Sequence, residues 1–266
     1  MELSHQELFD FLEAKYEQYN RPEFIETDPI SVPHHFTRKE DIEIAAFLTA
    51  TISWGNRQSI VKDADKLLRL MEFSPYEFIL HSGRNETKRF ESFYHRTFNG
   101  RDCIFFLESL KNIYQNHEGL ESLFLPDEIT GIKGALCRFR STFLETDHPH
   151  RSEKHIADPC RGASAKRLLM FLRWMVRNDQ RGVDFGLWKK IPPSMLMCPL
   201  DIHSGNVARK LGLLIRKQND WKAVEELTAN LRQFDAEDPV KYDFALFGLG
   251  VFEKWRNSDM AKPACR

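Results

Sequence analysis

Helical spacing of apolar residues constrains this chain more than any other feature. Along most of its length they recur three and four positions apart, which places them on one face of an α-helix. The pattern is clear in 166–176 and also in 40–52, 56–71, 101–116 and 220–234. No convincing strand-like alternation and no internal repeat interrupts it. The sequence therefore predicts an all-α protein of about ten helices.

Proline and glycine indicate where these helices should end. The segment 21–36 carries three prolines, so we expect an extended connector there rather than a helix. Further helices are expected at 1–20, 75–82, 86–96, 135–144 and 238–255.

Composition limits the class of protein. The 266 residues leave room for one large domain or two lobes. No apolar run approaches the ~20 residues of a membrane span, and the N-terminus lacks the features of a secretion signal. We therefore expect a cytoplasmic protein with no membrane contact. Five scattered cysteines fit a reducing compartment better than a disulfide framework, and no cluster has metal-ligand spacing, so no metal site is expected: Cys103, Cys137, Cys160, Cys198 and Cys265.

The charge of the chain is small but unevenly distributed. A net charge of −1 argues against indiscriminate nucleic-acid binding, which requires a basic surface. Between 161 and 217, however, Lys and Arg greatly outnumber three Asp, and there is no Glu. This excess is either a solvated surface around two helices or a surface that faces phosphates.

Within that basic stretch, a lysine and a carboxylate each stand at the start of a helix. Ser164 is suitable as an N-cap, which would place Lys166 in the first turn, where the helix dipole opposes the ammonium form. Asp201 is also suitable as an N-cap, and Gly212 would end its helix. On these residues alone, an exposed lysine and a capping aspartate are the simpler interpretation.

The stretch 161–212 resembles the helix-hairpin-helix DNA glycosylase superfamily, whose best-known member is endonuclease III. The resemblance rests on GASAK, which ends at Lys166, and on PLDIHSGNVARKLGL, which contains Asp201. The long separation of these two residues and the run KRLLMFLRW are closest to the archaeal and bacterial 8-oxoguanine glycosylase/lyase branch. The stretches 44–71 and 238–251 resemble an early helix pair and a late helix, so about half the chain is covered. The whole sequence also resembles a bacterial family of unknown function.

This resemblance implies a two-lobed helical fold with the site in a cleft between the lobes. Residues 1–39 and 195–266 would form the terminal lobe, and 40–194 the central lobe that ends in the lysine helix. Lys166 would attack the sugar and form a Schiff base, and Asp201 would stabilise positive charge and accept a proton. The implied function is base-excision repair by an N-glycosylase with AP-lyase activity, on 8-oxoguanine by analogy with that branch. The implied partner is double-stranded DNA with a damaged base, bound by a monomer.

The resemblance also implies residues that contact DNA. Those of the turn near 54 would fill the space left by the extruded base or read the base opposite; the alternative is a helix–helix turn made by Gly55, with Trp54 in the core. His203 would contact a phosphate or the pocket, or be an ordinary surface histidine, and Tyr94 and His95 are either pocket or core aromatics. The candidates are Trp54, Asn56, Arg57, Gln58, Gly162, Ser164 and His203.

Two features of the superfamily differ here. Only Gly162 remains of the Leu-Pro-Gly-x-Gly hairpin, and the four-cysteine iron–sulfur loop is absent. We therefore expect no cofactor except a possible monovalent cation at the hairpin. The alternative is a non-catalytic DNA- or RNA-binding protein that retains the glycosylase scaffold.

Overall fold

The computed structural model describes residues 3–253, which form twelve α-helices and one two-stranded antiparallel sheet. Most of this part of the chain is helical, as the sequence predicts. The helices are α1 His5–Tyr19, α2 Lys39–Ile52, α3 Arg57–Leu70, α4 Pro75–His81, α5 Arg84–Thr87, α6 Gly100–Asn116, α7 Leu120–Leu123, α8 Gly131–Phe143, α9 Lys166–Val176, α10 Ile202–Lys210, α11 Trp221–Leu231 and α12 Asp243–Val251, and the strands are β1 Tyr94–His95 and β2 Phe98–Asn99.

Side-chain caps fix the starts of several helices. Ser4 and Glu7 form a capping box at α1, and Asn99 and Asp102 form one at α6. Asp220 accepts a hydrogen bond from Ala223 N at the start of α11. Each cap satisfies backbone N–H groups that the helix itself leaves unpaired.

The segment 21–36 is not extended, and that prediction was wrong. It forms three short 3₁₀ helices, Pro22–Thr27, Pro29–Ser31 and Pro33–His35. Each begins with one of the three prolines, because the missing N–H and the fixed φ of proline suit the first position of a helical turn. The prolines therefore start short helices instead of excluding them.

The helix expected at 86–96 was also wrong. Helix α5 ends at Thr87, and after a 3₁₀ turn the chain forms a β-hairpin of β1 and β2. Arg96 lies at the hairpin tip with φ +53°, outside the helical region. His95 contacts groups distant in sequence, Asp63 and the carbonyl of Trp54, so tertiary contacts override the local preference. At the chain end, a 3₁₀ turn at Pro239–Tyr242 precedes α12, and residues 254–255 of the expected helix lie outside the described part.

Two groups of helices position the candidate site. Helix α2 is buried from Ile42 to Ile52 and packs against α3 and α9. Helix α12 packs against both α1 and α10, so segments near the two ends of the chain meet. The division into two lobes stays a prediction. Between Leu3 and Glu253, none of the helices combines the length and the apolarity needed to cross a bilayer.

The cysteines differ from the expected set of free thiols. Cys137 of α8 and Cys160 form a disulfide with a Cα–Cα distance of 6.1 Å. This bond joins α8 to the turn that precedes α9. The two cysteines are 23 positions apart and become neighbours only in the folded chain, so their spacing gave no signal. Cys103 and Cys198 are buried free thiols, and Cys265 lies outside the described residues.

Candidate active site

Lys166 and Asp201 meet in the folded protein although 34 residues separate them in the chain. The Lys166 Nζ lies 4.0 Å from Asp201 Oδ2, and each side chain is about a quarter exposed. Both line a cavity of about 670 Å³ that the turn between α2 and α3, helix α10 and Phe247 of α12 also border. The structure thus places an amine and a carboxylate side by side in a cavity, and their catalytic roles stay a prediction.

Asp201 is held in place by the start of its helix. Its Oδ1 accepts hydrogen bonds from the backbone N–H groups of His203 (2.8 Å) and Ser204 (3.0 Å), and Ser204 Oγ accepts one from Asp201 N. The N-cap prediction is therefore confirmed, as is the helix end near Gly212, which has φ +73°. Because Oδ1 is occupied by the cap, Oδ2 remains for Lys166.

Lys166 is the first residue of α9, but Ser164 does not cap this helix. The N-cap position is Ala165, in a left-handed conformation with φ +52°, and no side chain caps α9. The prediction for Ser164 was wrong because the left-handed residue inserts one position between the serine and the helix. Lys166 still lies in the first turn, with Nζ 3.4 Å from Met170 Sδ.

The turn that precedes Ala165 is held by backbone contacts. Gly162 adopts φ +91°, which favours glycine, and its carbonyl accepts a hydrogen bond from Trp221 N (2.9 Å). Gly162 and Ser164 are not among the residues that line the cavity. An Asp158 carboxylate oxygen lies within 4.8 Å of both disulfide sulfurs, which are bonded to each other and offer no thiolate to a metal. The monovalent cation stays a prediction.

Two further carboxyl groups lie beside Lys166, and sequence reasoning missed both. Asp28 and Asp243 are each 6% exposed and border the space around Lys166 and Asp201. Burial raises the pKa of Asp28, although the hydrogen bond from the Ile30 N–H and the charge of nearby Arg57 act to lower it. Burial also raises the pKa of Asp243, although Arg173 and Lys166 oppose the shift. The amine of Lys166 is therefore surrounded by acidic groups.

Arg173 of α9 and Arg177 just after it are buried, which the sequence analysis did not predict. They are 4% and 1% exposed. Arg173 Nη1 lies 2.5 Å from Asp243 Oδ2, and Arg177 Nη1 lies 2.7 Å from Asp184 Oδ2. Buried charges of this kind need such partners. The signal was present in the sequence, because Lys166, Arg173 and Arg177 share one helical face at i, i+7 and i+11.

Trp54 lies at the cavity wall, and its contact with DNA stays a prediction. It lines the cavity and is partly buried, with the Arg167 guanidinium 4.9 Å from its ring centre and the His95 ring edge-on at 5.1 Å. Arg167 donates hydrogen bonds to the carbonyls of Thr51 and His155, and burial lowers its pKa to about 10. The contacts with Arg167 and His95 hold the Trp54 ring at the cavity wall.

The neighbouring candidates have different environments. Asn56 caps α3 through Ser59 N (3.1 Å) and lines the cavity, whereas Gln58 is exposed and does not. The guanidinium of Arg57 lies 4.6 Å from the centre of the Phe247 ring. Its Nη2 is buried without a hydrogen-bond partner among the described residues, and burial lowers its pKa. His203 is exposed at the cavity edge.

The fold and the cavity define a helical protein with an amine–carboxylate pair in a cleft. The chain belongs to the family described as "Protein of unknown function (DUF2400)", which matches residues 28–252. No curated protein and no solved structure matches the chain.

Proposed function

We propose that this protein acts in base-excision DNA repair as an N-glycosylase with AP-lyase activity. The observation that carries the proposal is the 4.0 Å approach of Lys166 Nζ to Asp201 Oδ2 at the wall of a cavity of about 670 Å³. The resemblance to helix-hairpin-helix DNA glycosylases supports the same pair of residues.

The pair is suited to what the reaction requires. As the bond between base and C1′ breaks, the base leaves with the bonding electrons and positive charge develops on the sugar. Asp201 Oδ2 can stabilise that charge, since Oδ1 is already held by the start of α10. The lone pair of Lys166 Nζ forms a new bond to C1′, and a proton passes from the amine to Asp201.

The lyase step follows from the same covalent bond. The sugar ring opens to leave a Schiff base between Nζ and C1′. Loss of a proton from C2′ then expels the 3′ phosphate by β-elimination and nicks the strand. Water releases Lys166 by hydrolysis of the remaining Schiff base.

The cavity has the size that an extruded base needs. Its volume lies within the range of about 300–1,000 Å³ that is typical of small-molecule sites. Extrusion from the duplex costs a few kcal/mol, which contacts to the base must offset. Phe247 and Trp54 offer aromatic surface for this purpose, and Arg57 and Asn56 offer polar groups. The 8-oxoguanine substrate comes from the resemblance.

Borohydride trapping tests the proposal. Wild-type protein should form a covalent adduct with a duplex that contains 8-oxoguanine, because borohydride reduces the Schiff base to a stable amine. Lys166→Gln should form none, whereas Lys189→Gln, which removes an exposed lysine away from this cavity, should react as the wild type does.

Two results would count against the proposal. Survival of the adduct in Lys166→Gln would exclude Lys166 as the nucleophile. Salt-dependent DNA binding without incision across a panel of damaged bases would instead favour a non-catalytic nucleic-acid-binding protein.

A further inference from the structure

The β-hairpin Tyr94–Asn99 lies at the mouth of the cavity and is held firmly there. The ring of His95, which is 3% exposed, is bound at Nδ1 to Asp63 Oδ2 (2.7 Å) and at Nε2 to the Trp54 carbonyl (3.1 Å). Phe98 is buried against Phe106. Because Trp54 lines the cavity, the hairpin is attached directly to the cavity wall.

Two large side chains of this hairpin are exposed, Tyr94 of β1 and Arg96 at the tip. Tyr94 is 70% exposed, which is unusual for a large aromatic residue. Arg96 is exposed and makes no hydrogen bond or ion pair with another described residue. Its guanidinium lies over Gly55, since a Cβ built on Gly55 would be 2.8 Å from Arg96 Nη1. Gly55 itself lines the cavity, so this charge lies at the cavity mouth.

Charged groups of both signs lie near the hairpin. Lys66 Nζ lies 5.9 Å from the centre of the Tyr94 ring. Arg151 Nη2 donates a hydrogen bond to the carbonyl of Thr97 (2.8 Å), and Arg151 Nη1 is ion-paired with Asp102 Oδ2 at 2.6 Å. The carboxylate of Asp63 lies beneath the tip and is bonded to His95. Among these groups Arg96 has no hydrogen-bond or ion-pair partner in the described part of the chain, and a guanidinium of this kind beside an exposed aromatic ring suits a nucleic-acid backbone.

We infer that this β-hairpin is a DNA-contacting element, in which Arg96 binds a backbone phosphate at the cavity mouth and Tyr94 packs against the adjoining nucleotide. The inference rests on the proposed function. A nucleotide extruded into the cavity remains joined to its strand, so its phosphates must pass the mouth where Arg96 lies. A phosphate there would satisfy the guanidinium that the protein leaves unpaired.

The test measures duplex binding as a function of salt. Fluorescence anisotropy with a duplex that carries a tetrahydrofuran abasic analogue gives the affinity between about 50 and 200 mM salt. Arg96→Asn removes the charge and keeps a residue that tolerates positive φ, so the hairpin should fold; thermal melting checks this. Lys189→Gln removes one exposed charge elsewhere, beside a separate cavity lined by Lys190, and serves as the control.

Loss of one phosphate contact has a defined effect. In Arg96→Asn the slope of log K against log salt should become shallower by about 0.9, and affinity near 0.1 M salt should fall about eightfold. Lys189→Gln should keep the wild-type slope. Tyr94→Ser should weaken binding with an unchanged slope, because its contact carries no charge.

An unchanged slope in Arg96→Asn would overturn the inference, and unchanged affinity in Tyr94→Ser would overturn its aromatic part. If the wild type forms the Lys166 adduct while Arg96→Asn keeps its slope, the inference fails and the proposed function stands. If the wild type binds no duplex, both fail.

Discussion

Asp201 caps α10 and, in the proposed function, also stabilises charge on the sugar, and substitutions at this position separate the two roles. Oδ1 caps α10 through His203 N and Ser204 N, while Oδ2 faces Lys166 at 4.0 Å. Asp201→Asn keeps an oxygen that can cap the helix but removes the charge. Asp201→Ala removes both.

The two variants should therefore differ in stability but not in activity. Loss of the cap in Asp201→Ala should cost about 1 kcal/mol. In a protein of this size that lowers Tm by about 2–4 °C. Asp201→Asn should melt within about 1 °C of the wild type, because Asn is an equally good N-cap. Both should slow base excision by about 10²–10³-fold, the usual effect of losing one group placed to stabilise transition-state charge.

Differential scanning calorimetry and single-turnover excision from an 8-oxoguanine duplex measure the two effects. Excision by Asp201→Asn at the wild-type rate would refute the electrostatic role of Oδ2. A large fall in the Tm of Asp201→Asn would show instead that the charge serves stability.

Two further predictions concern stability. Cys137→Ser should lower the free energy of unfolding by about 3 kcal/mol, because the disulfide closes a loop between residues 23 positions apart. Urea unfolding should show this loss under non-reducing conditions, and reductant should remove the difference between variant and wild type; equal stability without reductant would contradict the prediction. Burial raises the pKa of Asp28 in the folded state, so ionisation of this carboxyl group lowers the free energy of unfolding. This loss of stability is absent at low pH, where the group is protonated in both states, and it grows as the pH rises through the folded pKa. Asp28→Asn should therefore raise Tm near pH 7.5 and leave it nearly unchanged near pH 4, whereas an equal effect at both pH values would contradict this assignment.

Elements whose determinants are local could be predicted from the sequence. The helical spacing of apolar residues, together with the residues that favour helix ends, predicted α2, α3 and α6 to within one residue of their observed bounds. The cap at Asp201 was predicted for the same reason, since Asp201, His203 and Ser204 are neighbours in the chain.

Features that depend on contacts between distant segments were missed. The β-hairpin depends on Asp63 and Trp54, the disulfide joins α8 to a distant turn, and Arg173 is buried because Asp184 and Asp243 meet it. Sequence periodicity carries no information about these partners. Asp28 was missed for the same reason, because only the folded chain brings it beside Lys166.

The central claim is that the amine of Lys166 reacts with the sugar of an extruded nucleotide. Mass spectrometry of the borohydride-reduced complex, after nuclease and protease digestion, locates the modified residue directly. We expect the remnant of the opened sugar on Lys166 alone. A remnant on another lysine or on an N-terminal amine would contradict this claim, as would a strand incised in the presence of borohydride with no remnant on any residue of the protein.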